Sequence, residues 1–301
     1  MSVETGLHRR EQSRPPHAGA RGLREDSRLP RGALPGFVVP MKRCGRWLFC
    51  VVVVATWSLA AEPAAGDSTK AKARRPGGAP SSFQIRSFKA PEGVAIEYSL
   101  FVPAKIAAGD RLPLVLCLHG AGGNTEAAKV LATAERQAQQ PCIIMAPACD
   151  TRTNRWVETP FRLDAKRSVL PELLGALAAV MREQPVDPTR VYLTGQSIGG
   201  IGTWGIIAAH PERFAAAVPV CGFWQPADAR KITSIPIWAF HGENDPTVPV
   251  AGSRDMISAL KAAGATPRYT EYPGMGHSSW TSAYATEELW AWLFAQKRRA
   301  P

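Results

Sequence analysis

The run Val191-Tyr-Leu-Thr-Gly-Gln-Ser-Ile-Gly-Gly200 constrains this chain more than any other stretch. An apolar strand enters Gly-x-Ser-x-Gly and leaves as a Gly- and Ala-rich helix. A serine at such a sharp strand-to-helix turn has its hydroxyl lifted clear of the backbone, at the positive end of a helix dipole. That is a position suited to a nucleophile that attacks an acyl carbon. The five-residue pattern alone is a modest signal, and its weight comes from the strand, the helix and the partners further along the chain.

The surrounding punctuation is regular from about Ser81. Phe83–Ala90 and Val94–Val102 alternate as an opening antiparallel pair, with Pro91-Glu-Gly at the turn. Leu112–Leu118, Cys142–Ala146, Val191–Thr194, Ala215–Val220 and Ile235–Phe240 are short, continuous apolar runs, and Tyr269–Tyr272 is a last strand. Helical patterns fall at 125–138, 168–184, 197–210, 251–264 and 284–297. Unalternating strands interleaved with helices predict a mainly parallel α/β sheet covered on both faces. With 301 residues and 45% apolar content, there is material for one sizeable core. One catalytic domain is expected over 81–299, with a Pro/Ala/Gly/Lys linker over 62–80 that cannot bury enough surface to fold.

The net charge of +11 is partly local: residues 1–60 hold ten Lys/Arg against four Asp/Glu, and the remaining 241 hold 26 against 21. No basic stripe with interleaved aromatics accompanies it, so no nucleic-acid partner is expected. Residues 41–61 read as a secretory signal. Lys42, Arg43 and Arg46 precede the apolar run Trp47–Leu59, and Ser58-Leu-Ala60 offers a cleavage site. The run falls short of the ~20 residues of a membrane span. The expected location is therefore periplasmic or extracellular, with no stable membrane span after cleavage; an uncleaved anchor is the alternative. Residues 1–40 are either a disordered extension or the product of a start placed too early, with Met41 favoured as the true first residue.

Cys44 and Cys50 belong to the signal. Of the rest, Cys117 and Cys142 sit in apolar runs and read as buried thiols. A bridge between Cys149 and Cys221 is conceivable in an exported protein. The cysteine spacing suits no zinc site.

Ligands of a parallel sheet bind beyond the carboxyl ends of its strands. That rim gathers His119-Gly-Ala-Gly-Gly, Cys149-Asp150, Ser197, Cys221-Gly222 and the 241–249 segment. A serine hydroxyl needs a base, and the base needs an orienting group. His277, in Pro273-Gly-Met-Gly-His before the last helix, is the candidate base. Asp245, in His241-Gly-Glu-Asn-Asp-Pro, is the candidate acid, with Glu243 and Asp150 as rivals. His119 and His241 lie in tight turns, where packing or loop hydrogen bonding suffices as a role. The oxyanion donors are expected from the backbone of Ile198 and of Ala121 or Gly120. Ser197, Asp245 and His277 follow the Ser…Asp…His order of α/β-hydrolases.

Four segments carry a family resemblance: Leu116-Cys-Leu-His-Gly-Ala-Gly-Gly, Val186-Asp-Pro-Thr-Arg through Gly200, Trp204 with His210-Pro-Glu-Arg-Phe, and His241-Gly-x-x-Asp-x-x-Val-Pro. Over roughly 83–297 the chain resembles secreted α/β-hydrolases: polyhydroxybutyrate depolymerase-like and feruloyl esterase-like proteins, predicted peptidases, and the prolyl oligopeptidase catalytic domain. The resemblance implies an α/β-hydrolase fold and the roles given above to Ser197, His277 and Asp245. Between Val220 and Ile235, where many relatives insert a helical cap, only Cys221–Ser234 intervene, so no large cap domain is expected, and the mechanism requires no metal or organic cofactor. The resemblance departs at Ile198, where such proteins often have methionine. The activity expected is hydrolysis of a small-molecule or polymer-borne carboxylic ester, with a serine peptidase or a noncatalytic binding module as alternatives. Trp156, Phe223, Trp224 and Trp280, with Phe161 nearby, are expected to line an open substrate groove.

Overall fold

The structure, a computed structural model, describes residues 82–91, 93–160 and 166–298. The leader expected over 41–61, the linker and Phe161 lie outside the described residues.

The chain opens with β1 (Gln84–Lys89), β2 (Ala95–Phe101) and β3 (Leu112–Leu118). Two short helices follow, α1 (Glu126–Leu131) and α2 (Ala134–Gln139), and then β4 (Ile143–Pro147). A two-residue parallel pair, β5 (Asn154–Arg155) with β6 (Arg167–Ser168), precedes α3 (Leu170–Glu183). Next come β7 (Val186–Gln196), α4 (Ile198–Ala209), β8 (Ala216–Val220) and β9 (Trp238–Gly242). The last elements are α5 (Ala251–Ala262), β10 (Arg268–Tyr272), α6 (Trp280–Ala285) and α7 (Glu287–Ala295).

Eight strands form one sheet in the order β1-β2-β4-β3-β7-β8-β9-β10. The β1/β2 and β2/β4 pairs are antiparallel and the others parallel, as the sequence pattern predicts. The central strand explains its own continuous apolar run. Leu114, Leu116 and Leu118 face a core shared with α3, α4 and α5, while Val115 and Cys117 face a second core under α1, α6 and α7. A strand buried on both faces has no polar position to alternate.

Two expected helices are each divided. The 125–138 pattern breaks after Leu131 because Thr133 takes an extended conformation, and its hydroxyl accepts the Arg136 amide at 3.3 Å. Threonine is better placed capping a helix than inside one. The C-terminal pattern begins earlier than expected, at Trp280, and breaks at Thr286, which is also extended. No described helix is long and apolar enough to cross a membrane.

Strand β7 is tied down at its start. Asp187 accepts from the Thr189 amide and hydroxyl at 2.9 and 2.7 Å and from Arg190 Nε at 2.6 Å. Burial pushes its carboxyl up, but these bonds outweigh burial and lower it to about 2. A carboxyl depressed from 3.8 stabilises the fold above that value and loses its contribution as pH falls towards 2. Asp187→Asn should therefore destabilise the protein by about 1–2 kcal/mol at pH 7, with the difference narrowing at pH 3. Urea unfolding of both proteins at the two pH values reads this.

Candidate active site

Ser197 stands between β7 and α4 with φ 57° and ψ −120°, a conformation that non-glycine residues rarely hold. Backbone on both sides keeps it there. The Ser197 amide donates to Val220 O of β8 at 3.0 Å, and the Ser197 carbonyl accepts from Ile201 N at 2.9 Å. The following glycines have a steric reason. A methyl group at Gly199 would collide with the Leu118 carbonyl oxygen, and one at Gly200 with that of Val220. The helix start thus packs directly on the ends of β3 and β8.

The structure brings together the three side chains singled out from the sequence. His277 Nδ1 donates to Asp245 Oδ2 at 2.7 Å, and Ser197 Oγ lies 2.9 Å from His277 Nε2, which is left to accept the hydroxyl proton. Ser197 is 8% exposed, and the Asp245 side chain is fully buried. The His277 ring is the member that reaches solvent, and it meets Trp280 edge-on at 5.2 Å. Burial pushes the Asp245 carboxyl up, yet hydrogen bonds from His277 and the Val248 and Thr247 amides hold it below its ordinary value. It is an anion at neutral pH. The rival acids point elsewhere: Glu243 is exposed and accepts from Gly274 N, and Asp150 pairs with Arg152 at 2.9 Å.

The His119 turn lies against Ser197. A methyl group at Gly120 would stand 3.4 Å from Ser197 Cβ. His119 fastens this turn, with Nε2 accepting the Cys149 amide at 2.9 Å and its carbonyl accepting Trp156 Nε1 at 3.1 Å. Thr151 Oγ1 donates to Ala121 O at 3.3 Å, which orients the next peptide. The amides of Ile198 and Ala121 donate to no described residue. They sit at the start of α4 and on the turn beside it, where donors for an oxyanion belong.

The expected aromatic groove needs correction. Trp156 and Trp224 are buried, and their indole N–H groups are satisfied within the fold, by His119 O and by Asp228 Oδ2 at 2.9 Å. Large rings with a polar edge pack well in a core when that edge finds a partner. Trp156 closes one wall of a small crevice of about 100 Å³ beside Ile198 and Ile201. Phe223 and Trp280 stay partly exposed. A wider cavity, about 710 Å³, is bordered by Phe83, Ala121, Cys149 and Thr151. Cys149 and Cys221 are free, buried thiols, as are Cys117 and Cys142, so the conceivable bridge is not formed.

One contributor was not legible from its neighbours in sequence. His241, fully buried, places Nε2 2.9 Å from Val248 O and 3.2 Å from Asp245 Oδ2, so two imidazoles converge on one carboxylate oxygen. Its Nδ1 meets Ser253 Oγ at 2.7 Å, and that hydroxyl lies 2.9 Å from Gly222 O. Burial lowers its pKa, partly offset by Val248 O and Asp245.

The dienelactone hydrolase family model matches residues 99–290. The chain belongs to that family. It is 29% identical over 176 residues to a protein named as an esterase, NocK, of Nocardia uniformis subsp. tsuyamanensis, covering 55% of this chain and 49% of NocK. It is 28% identical over 134 residues to the carboxylesterase SOBER1 of Arabidopsis thaliana, covering 40% and 58% of the two chains. The crystal structure of a thermostable esterase superposes with a TM-score of 0.67 at 37% identity, over 72% of this chain and 63% of that one. This dienelactone hydrolase family member thus spans about half the length of the curated relatives it matches, and it has the α/β-hydrolase fold.

Removing the second imidazole strands buried partners on Ser253, Val248 and Asp245. His241→Ala should cost about 2–3 kcal/mol, read as a lower urea midpoint with an unchanged slope.

Proposed function

We propose that this protein is a serine hydrolase that cleaves carboxylic esters through an acyl-enzyme. The observation that carries the reading is the unbroken line from Ser197 Oγ through His277 to Asp245, at 2.9 and 2.7 Å. In this reading Ser197 attacks the acyl carbon while His277 Nε2 takes its proton. Asp245 keeps the proton on Nδ1 and stabilises the imidazolium that forms. The amides of Ile198 and Ala121 receive the developing oxyanion. His277 then gives its proton to the departing alcohol, and a water molecule repeats the sequence on the acyl group. Each proton removed from a nucleophile is returned to a leaving group, so the cycle closes without a cofactor.

An ester is favoured over an amide because the relatives are named as esterases. A bulky or polymer-borne ester suits the site. Only Cys221–Ile237 separate β8 from β9, with a single short 3-10 helix over Pro226–Ile232, too few residues for a helical cap domain. The wider cavity has room for the larger half of the ester, and the crevice at Ile198 suits a short chain. Export through the 41–61 leader is part of the same proposal, supported by the basic, apolar and small-residue order of that segment.

Wild type should label with a fluorophosphonate and Ser197→Ala should not. Hydrolysis of aryl acyl esters should fall by about 10⁵-fold or more in Ser197→Ala and by about 10⁴-fold in Asp245→Asn. If peptide amides are cut and the esters are not, the choice of substrate class is wrong; if wild type resists labelling, the hydrolase reading fails.

A further inference from the structure

Beside the triad lies a nucleophilic group that the proposed mechanism leaves unused. Cys221 directly follows β8 with φ 41°, held by its amide donating to Phe240 O at 2.8 Å, and its side chain is completely buried. A ligand atom from each of Cys221, Asp245 and His277 falls within 4.8 Å of the others. A fourth donor is next to them. The Ser279 hydroxyl neighbours the thiol, is fully buried, and has no hydrogen-bond partner of ordinary geometry.

We propose that Cys221, Asp245 and His277, with Ser279 completing the set, bind one divalent cation of the zinc type, and that this binding switches the hydrolase off. The second half of the statement rests on the hydrolase reading; the first does not.

The donor set selects the ion. Thiolate, imidazole and carboxylate together suit zinc, cadmium or cobalt, whereas magnesium and calcium prefer oxygen alone. Ligands around tetrahedral zinc stand about 3.5 Å apart, so the three must close in by about 1 Å. The loop-borne His277 can supply that movement, and as the donor that reaches solvent it also marks the entry route. The carboxylate is already oriented, since Asp245 Oδ1 accepts the Thr247 and Val248 amides at 2.8 and 2.9 Å.

Inhibition follows from shared atoms. An imidazole that holds a cation cannot also relay the Ser197 proton, and a carboxylate that binds the cation gives up its role towards His277. Burial pushes the Cys221 thiol up to about 12, so without metal it stays protonated and does not compete with Ser197 as a nucleophile. Binding replaces that S–H proton, which passes to solvent.

The test uses the purified full chain stripped with EDTA. Co²⁺ titration should give one ion per chain and a thiolate-to-cobalt charge-transfer band, absent from Cys221→Ser. Zn²⁺ should cut aryl ester hydrolysis by more than tenfold, reversibly with EDTA, and the half-inhibiting concentration should rise at least tenfold in Cys221→Ser. Inhibition is compared within each protein, so a change in basal rate does not confuse it, and Cys221→Ala serves if the serine variant fails to fold. No thiolate band in wild type, or equal zinc sensitivity in wild type and variant, overturns the cation site. A band in a protein that hydrolyses no ester supports the site and overturns the hydrolase reading instead.

Discussion

The rim of this sheet depends on how closely the start of α4 packs against the ends of β3 and β8. Gly199 touches the β3 end and Gly200 the β8 end, main chain on main chain, with no room for a side chain at either. That contact holds Ser197 in its strained conformation at the start of α4. Strain of this kind costs about 1–3 kcal/mol and persists only where the surroundings over-determine it. Here the surroundings are the apolar layers on either side of β3 and β7, which supply far more burial than one dihedral costs.

The same packing brings the next strand end into play. Cys221 follows the β8 residue that accepts the Ser197 amide, and it too has a positive φ. Two neighbouring strand ends thus present a hydroxyl and a thiol to one imidazole. What separates their roles is solvation. Burial raises the pKa of the thiol, while the hydroxyl lies 2.9 Å from His277 Nε2. Asp245 serves as the electrostatic centre, receiving two backbone amides on one oxygen and two imidazoles on the other. A carboxylate so fully satisfied is costly to protonate and hard to rotate, which suits a group that must hold an imidazole in one tautomer.

Much of this was legible in the sequence, and the reason is geometric. Parallel strands buried on both faces leave continuous apolar runs, and whatever follows each run must lie on one rim. That logic placed Ser197, Asp245 and His277 together from residues 32 and 80 positions apart. It could not separate the faces of the loops. Trp156 and Trp224 belong to the same rim segments as Phe223 and Trp280, yet they turn inward because Gly202 and Gly205 leave hollows on α4 that their rings fill. The divided helices were hidden for a related reason: Thr133 and Thr286 sit within helical patterns, and periodicity alone does not report a cap.

Metal spacing rules do not address a cluster of this kind. They recognise ligands close in sequence on one hairpin or helix, whereas Cys221, Asp245 and His277 come from three different strand ends. A sheet that gathers a hydroxyl, an imidazole and a carboxylate at its strand ends will also gather any thiol that falls at the same level. Cation affinity and acyl chemistry then draw on the same imidazole and carboxylate, and each can operate only when the other does not. The identity of one buried side chain, sulfur instead of oxygen or carbon at position 221, decides whether this centre can be stopped by a metal ion.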